Sequence, residues 1–68
     1  MKRAMIRMES GALLTWLVED DAVPGMAVLT PPPPWGERPQ RGTIEAVEPF
    51  GPEVEPYDGP CKEAWLVR

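Results

Sequence analysis

The sequence predicts an all-β fold, a small and partly open β-barrel with long proline-rich loops. Three observations support this class. The chain contains four short β-like segments and little or no helical pattern. The stretches outside these segments hold the ten prolines and six glycines. With 68 residues, the chain has room for one small domain, which we assign to residues 1–68.

The first predicted strand is Ala12–Val18, which follows a short apolar stretch (Ala4–Met8) and a Ser10-Gly11 turn signal. Its sequence, A-L-L-T-W-L-V, is a seven-residue apolar run, and its length and its Thr, Trp and Val favour a buried strand. The alternative is a helix from Ser10, because the three leucines of the run share one helical face. Such a helix would end in the acidic residues 19–21, which oppose the helix dipole.

The second apolar run, Met26–Thr30, lies between a Pro24-Gly25 turn signal and the four consecutive prolines 31–34. Two interpretations of its residues Met26–Leu29 stay open. Either they form a strand that packs in the core, or they are an exposed hydrophobic ligand, since exposed apolar patches usually mark interaction sites. We treat residues 24–41 as a proline-rich loop that is a candidate for mobility.

Two further strands are predicted, Thr43–Val47 and Ala64–Val67. In the first of them, Ile44 and Ala46 are predicted to share one face. Residues 48–60 contain four prolines and therefore cannot form a central strand. We expect most of the core to come from the large apolar residues of these runs: Leu13, Leu14, Trp16, Leu17, Ile44, Trp65 and Val67.

The small size of the chain predicts that it needs support from other chains. Leu, Ile, Val and Phe together contribute only 14 residues, and a core of this size rarely supplies more than about 3–5 kcal/mol. Cys61 is the single cysteine, so no disulfide can compensate. We therefore expect a homo-oligomer, or docking on a partner protein.

Composition excludes or disfavours several classes of function. The chain has no histidine, which removes the usual general base, the Cys–His pair and most zinc sites. Its net charge of −4 disfavours nucleic-acid binding, and no apolar run is long enough to span a membrane. Arg7 and Glu9 interrupt any signal-peptide core, and one unpaired cysteine fits a reducing compartment. We expect a non-enzymatic protein without cofactor or metal, located in the cytoplasm, in a phage-infected bacterium or in a virion.

Each candidate for chemistry has a simpler structural explanation, which we prefer. Glu19-Asp20-Asp21 lacks the spaced ligands of a calcium loop and fits a solvated turn. Cys61 has no histidine partner and fits an inert thiol. Pro31 and Pro34 satisfy P-x-x-P, but any run of four prolines does so, and a stiff spacer explains it. Solvated loop charge explains the remaining acidic residues considered, which are Glu45, Glu48, Glu53, Glu55 and Asp58.

Residues 23–49, V-P-G-M-A-V-L-T-P-P-P-P-W-G-E-R-P-Q-R-G-T-I-E-A-V-E-P, resemble the mobile loop and following strand of the small GroES-like co-chaperonins. In that family a glycine precedes a hydrophobic tripeptide, and a K-P-x-R-G stretch leads into the next strand. Leu13–Glu19, Tyr57-Asp58-Gly59 and the terminal E-A-W-L-V-R are similar to other pieces of the family. The resemblance implies a GroES-like barrel whose loop docks on a chaperonin. The implied binding residues are Gly25, Met26, Ala27, Val28 and Leu29.

The chain also departs from the family. The roof loop and one strand are replaced by the compact segment 48–56, and the family's final strand does not follow Arg68. The leading hypothesis is a co-chaperonin that docks an apolar loop on a large chaperonin and assists protein folding. The alternative is a non-enzymatic structural or assembly protein, such as a virion or adaptor component, with a similar small barrel. A minor third hypothesis is an inhibitor that binds a host enzyme through its acidic face.

Overall fold

The computed structural model of the chain describes residues 1–54 and 59–67, and within them the protein is all-β. One antiparallel sheet of five strands curls into a half-barrel, and the described residues form no helix. The strands are β1 (Lys2–Met8), β2 (Leu13–Val18), β3 (Ala27–Thr30), β4 (Gln40–Val47) and β5 (Trp65–Leu66). Their order across the sheet is β2-β1-β4-β3-β5. The predicted all-β class is therefore confirmed.

The first two strands form a hairpin, so the run Ala12–Val18 contains a strand and not a helix. The hairpin turn is closed by a hydrogen bond from the Gly11 N–H to the Met8 carbonyl. Gly11 has φ +92°, in the left-handed region that glycine enters without steric cost. The Ser10-Gly11 turn signal thus sets the register that pairs Ile6 with Leu14.

The third strand lies inside the sheet, between β4 and β5. A turn precedes it, in which the Met26 N–H donates to the Val23 carbonyl over 3.3 Å. Pro24 and Gly25 occupy the two central positions of this turn, and Gly25 has φ +94°, as a type II turn requires. The predicted Pro24-Gly25 turn is confirmed, and it delivers the chain directly into β3.

An irregularity in β4 changes which of its residues face the core. The register of β1 against β4 shifts between Met5 and Ile6. Ile44 pairs with Ile6, whereas Ala46 pairs with Met5, so the two β4 residues face opposite sides of the sheet. The prediction that they share a face is wrong, because a β-bulge adds one residue to the alternation.

The segment before β5 returns to β2 and curls the sheet. The Leu17 N–H donates to the Lys62 carbonyl over 2.9 Å, and the Ala64 N–H donates to the Leu17 carbonyl over 2.8 Å. Leu17 and Glu63 thereby form an isolated parallel bridge. Directly after this segment, β5 pairs with β3 on the other side of the sheet. The chain from Lys62 to Leu66 therefore connects the two sides of the sheet at one end of the half-barrel.

The core lies on the concave face, and β1 contributes more to it than any other strand. Alternate residues of β1 are buried, whereas Lys2, Arg3 and Arg7 keep more exposure. Thr30 is the one buried polar residue of the described part, and its hydroxyl donates to the Gln40 carbonyl over 3.4 Å. The buried apolar residues are Ala4, Ile6, Met8, Val18, Ala22, Val28, Ile44 and Ala64.

The predicted core list is largely wrong. Ile44 is buried as expected, and Trp16 is partly buried and packs against the core. Leu17 is only partly buried. The other four predicted residues are exposed. Trp65 and Val67 lie on the outer face of the sheet, which no second layer covers among the described residues, and Leu13 and Leu14 lie on the edge strand β2.

Candidate functional site

The five predicted binding residues lie at the start of β3 and in the turn before it. Their backbone is hydrogen-bonded into the sheet. The Gly25 N–H donates to the Ile44 carbonyl over 2.8 Å, and the Met26 carbonyl accepts from the Ile44 N–H over 2.9 Å. The Ala27 carbonyl accepts from the Val67 N–H over 2.9 Å on the other side. The segment is therefore hydrogen-bonded to a neighbouring strand or segment on each of its two sides.

The side chains of the segment divide between the two faces of the sheet. Val28 is 0% exposed and belongs to the core, whereas Leu29 is 37% exposed on the outer face. Met26 is half-buried and packs against the core. Each of the two interpretations of this run therefore applies to one residue. Val28 packs in the core as part of a strand, and Leu29 belongs to an exposed apolar surface.

Leu29 is part of an apolar surface that three strands build on the outer face. Across the sheet, Leu29 pairs with Arg41 of β4 on one side and with Trp65 of β5 on the other. Ala27 and Val67, two residues farther along their strands, lie beside them and share a backbone hydrogen bond. We name these four apolar residues, Ala27, Leu29, Trp65 and Val67, the outer patch.

The outer patch has the composition of a protein-binding surface. Trp65 is 50% exposed. Its backbone is already ordered in a paired strand, which limits the conformational entropy lost on binding. Arg41 is exposed at the border of the patch, and its side chain has no ion pair among the described residues. Trp and Arg are the residue types that most often carry binding energy at interfaces.

Local sequence reasoning missed the grouping of these residues. Trp65 and Val67 were expected in the core, and Arg41 was assigned to a loop, although each is exposed on the outer face. The signal that joins them is the pairing of β3 with both β4 and β5. That pairing connects residues far apart in the chain, so no short motif contains it.

The proline-rich segment between β3 and β4 presents a second exposed aromatic residue. Trp35 is 85% exposed, and the Gly36 N–H donates to the Pro33 carbonyl over 3.0 Å, closing a turn within residues 33–36. The central residues of this turn are Pro34 and Trp35, so the chain bends where the P-x-x-P run ends. A groove of about 510 Å³ lies between residues 33–41 and the end of β1.

Two of the acidic residues considered as catalytic candidates, Glu45 and Glu48, have structural partners. The Arg7 guanidinium donates to the Glu45 carboxylate over 2.9 Å. This hydrogen bond lowers the pKa of Glu45 and raises the pKa of Arg7. Glu48 accepts a hydrogen bond from the Arg3 backbone N–H over 2.6 Å. Glu55 and Asp58 lie outside the described residues.

The other candidates for chemistry show no arrangement that points to catalysis or metal binding. Glu19, Asp20 and Asp21 are exposed in a turn, in which the N–H of the buried Ala22 donates to the Glu19 carbonyl. The Cys61 thiol is partly buried and contacts the Gly59 carbonyl over 3.6 Å. Within residues 1–54 and 59–67, no group of three or more His, Cys, Asp or Glu could hold a metal ion. The same residues contain no helix that could cross a membrane.

Comparisons of this chain with protein-family models, with curated proteins and with solved structures find no match. The assignment that the geometry supports directly is thus the fold class, a curled antiparallel half-barrel of five strands.

Proposed function

We propose that the chain is a non-enzymatic structural or assembly protein that binds a partner protein through the outer patch. The observation that carries this proposal is the position of Leu29 between Trp65 and Arg41 on the outer face of three paired strands. A rigid apolar surface with an exposed indole and a bordering guanidinium suits a fixed contact between proteins. The complementary surface would be apolar, with a carboxylate positioned to pair with Arg41.

Burial supports this assignment because the patch contributes little to the protein's own core. Leu29, Trp65 and Val67 all keep more than a third of their surface exposed, although they are large apolar residues. The residues that alternate with them, such as Val28, already fill the concave face. Apolar residues on both faces of a strand indicate that both faces are covered in the functional state.

The experiment compares binding by the wild-type chain with binding by Leu29→Ser and Trp65→Ser. Proteins captured from the source cell would be identified, purified and titrated by calorimetry against each variant. We expect each substitution to weaken binding by at least about tenfold, since removal of a central anchor costs more than about 1.4 kcal/mol.

The matched control for this experiment is Leu14→Ser, which removes a similarly exposed leucine at the far edge of the sheet. It should bind the partner as the wild type does. Melting curves must show that all variants stay folded. A partner that binds Leu29→Ser and Trp65→Ser as tightly as the wild type would contradict the proposal.

The co-chaperonin hypothesis makes a different prediction for the same segment. A docking loop of that kind leaves Gly25–Trp35 mobile until it binds, whereas the proposed fixed surface keeps β3 in the sheet. The hydrogen bonds of Gly25, Met26 and Ala27 favour the fixed surface. Amide hydrogen exchange separates the two, because a mobile loop exchanges rapidly throughout and a paired strand is protected.

A further inference from the structure

Among the residues that the structure describes, the outer edge of β2 has no backbone partner over its first half. Leu17 uses its N–H and C=O to pair with the segment 62–64, on the side away from β1. Because the direction of these groups alternates along a strand, the N–H and C=O groups of Leu13 and Thr15 point to the same side. Within the described residues, the strand that pairs with Leu13 and Thr15 is β1, on the opposite side.

This edge has none of the features that normally prevent a sheet edge from pairing. Natural edge strands are protected by charged side chains, prolines, bulges or very short length. Residues 12–18 contain no charge and no proline, and β2 is six residues long with a regular register against β1. Leu13 and Leu14 are both exposed at the open part of the edge.

A groove runs beside the open edge and gives an additional strand room to enter. It has a volume of about 510 Å³ and lies between the first half of β2 and the segment Pro60–Lys62. Trp16 lines this groove, and its indole N–H is buried without an acceptor among the described residues. The groove therefore lies beside the backbone groups of Leu13 and Thr15 that have no partner among the described residues.

We infer that this edge pairs with the same edge of a second copy of the chain, antiparallel and about a two-fold axis at Leu14. In this register Leu13 of one copy lies opposite Thr15 of the other, so that the free N–H and C=O groups of both residues pair across the axis. Two-fold contacts of this type are the commonest in homo-oligomers. The inference is independent of the outer patch, which lies at the other side of the sheet.

The side chains at this interface fit a self-complementary contact. Leu14 lies opposite its own copy on the concave face, and the large Trp16 lies opposite the small Ala12. The hairpin turn carries each chain away at Gly11, opposite Leu17 of the neighbouring copy, where segment 62–64 of that copy pairs with its own β2. This turn brings the exposed Glu9 of one copy toward the exposed Lys62 of the other, and their charges are opposite. The short contact predicts a weak, concentration-dependent dimer.

The test uses charge substitution at the position on the axis. Leu14→Lys and Leu14→Glu each place like charges opposite each other, so each variant alone should be a monomer by sedimentation equilibrium. An equimolar mixture should form the dimer again, because the opposite charges then meet across the axis. The matched control is Val23→Lys, which adds a charge at a similarly exposed apolar residue in the turn before β3 and should dimerise as the wild type does.

A second measurement needs no variant and stays informative if a substitution unfolds the chain. The amide protons of Leu13 and Thr15 should exchange more slowly as the wild-type concentration rises from low micromolar to millimolar. A wild type that stays monomeric over this range overturns the inference, and so does a dimer that Leu14→Lys leaves intact. Species that grow beyond the dimer would also overturn it, since they indicate head-to-tail pairing of β2 with β5.

Discussion

The shorter strand β3 supplies more of the core than the longer strand β2. The four-residue β3 contributes two fully buried side chains, Val28 and Thr30. The six-residue β2 contributes one, Val18, and leaves Leu13 and Leu14 exposed. The cause is position, because β3 has a paired strand on each side and β2 lies at an edge. Burial in a small sheet thus depends on neighbouring strands more than on the hydrophobicity of the strand itself.

The largest expected effect comes from removing a buried side chain of β3. Val28→Ser deletes methyl groups from the core and buries a hydroxyl, which should cost roughly 2–4 kcal/mol. That is most of the stability of so small a domain, so thermal melting should show a largely unfolded chain. Leu29→Ser, the neighbouring control on the outer face, should stay within about 0.5 kcal/mol of the wild type. Equal melting of both variants would show that β3 is not part of the core.

A smaller effect is expected where β4 passes between β1 and β3. Gly42 pairs with Met8 on one side and with Val28 on the other. A Cβ atom there would lie 2.5 Å from Ile6 Cγ2 and 3.0 Å from the Arg7 carbonyl oxygen. Gly42→Ala should therefore cost about 1–3 kcal/mol through overpacking.

The control for the glycine substitution is Thr43→Ala, which changes the next residue of β4 on the exposed outer face. Chemical denaturation of both variants measures the difference. If Gly42→Ala is as stable as Thr43→Ala, the close packing of the three central strands is not present in solution.

The smallest effect concerns the ion pair between Arg7 and Glu45. The guanidinium lowers the pKa of Glu45 in the folded protein, so the pair contributes stability above the carboxyl pKa of the unfolded chain. This contribution is lost as the pH falls through the folded-state pKa. Both side chains are exposed, so Glu45→Gln should lower the melting temperature only slightly at neutral pH and should flatten its fall in acid.

Glu37→Gln, an exposed change in the loop before β4, is the control for the pH profile. It should keep the wild-type dependence on acid. A Glu45→Gln variant whose melting temperature follows the wild-type profile at every pH would show that the ion pair does not stabilise the fold.

The local features of the fold were predictable from the sequence. Pro24-Gly25 and Ser10-Gly11 predicted turns that the structure contains, because each depends on the backbone freedom of one glycine. The strands within residues 12–18, 43–47 and 64–67 were predictable from short apolar runs. The alternation of Ala4, Ile6 and Met8 with more polar residues also marks β1 as a half-buried strand, although we described it only as an apolar stretch.

The order of the strands and the outer patch were not predictable from local pattern. Which strand lies at an edge decides that Leu14 is exposed and Val28 is buried, and both belong to apolar runs of similar composition. The bulge that separates the faces of Ile44 and Ala46 has no glycine or proline to mark it. The outer-face neighbours of the predicted binding segment come from distant strands, so no local pattern contains them.

The bridge between Leu17 and Glu63 has a consequence for the newly synthesised chain. The β1–β2 hairpin is a local contact that can form as soon as Val18 has left the ribosome. Its closing partner, the segment 62–64, is made much later, because residues 19–61 lie between them. Throughout that interval the entire edge of β2 is uncovered. Slow translation would therefore prolong the period in which nascent chains can pair with one another.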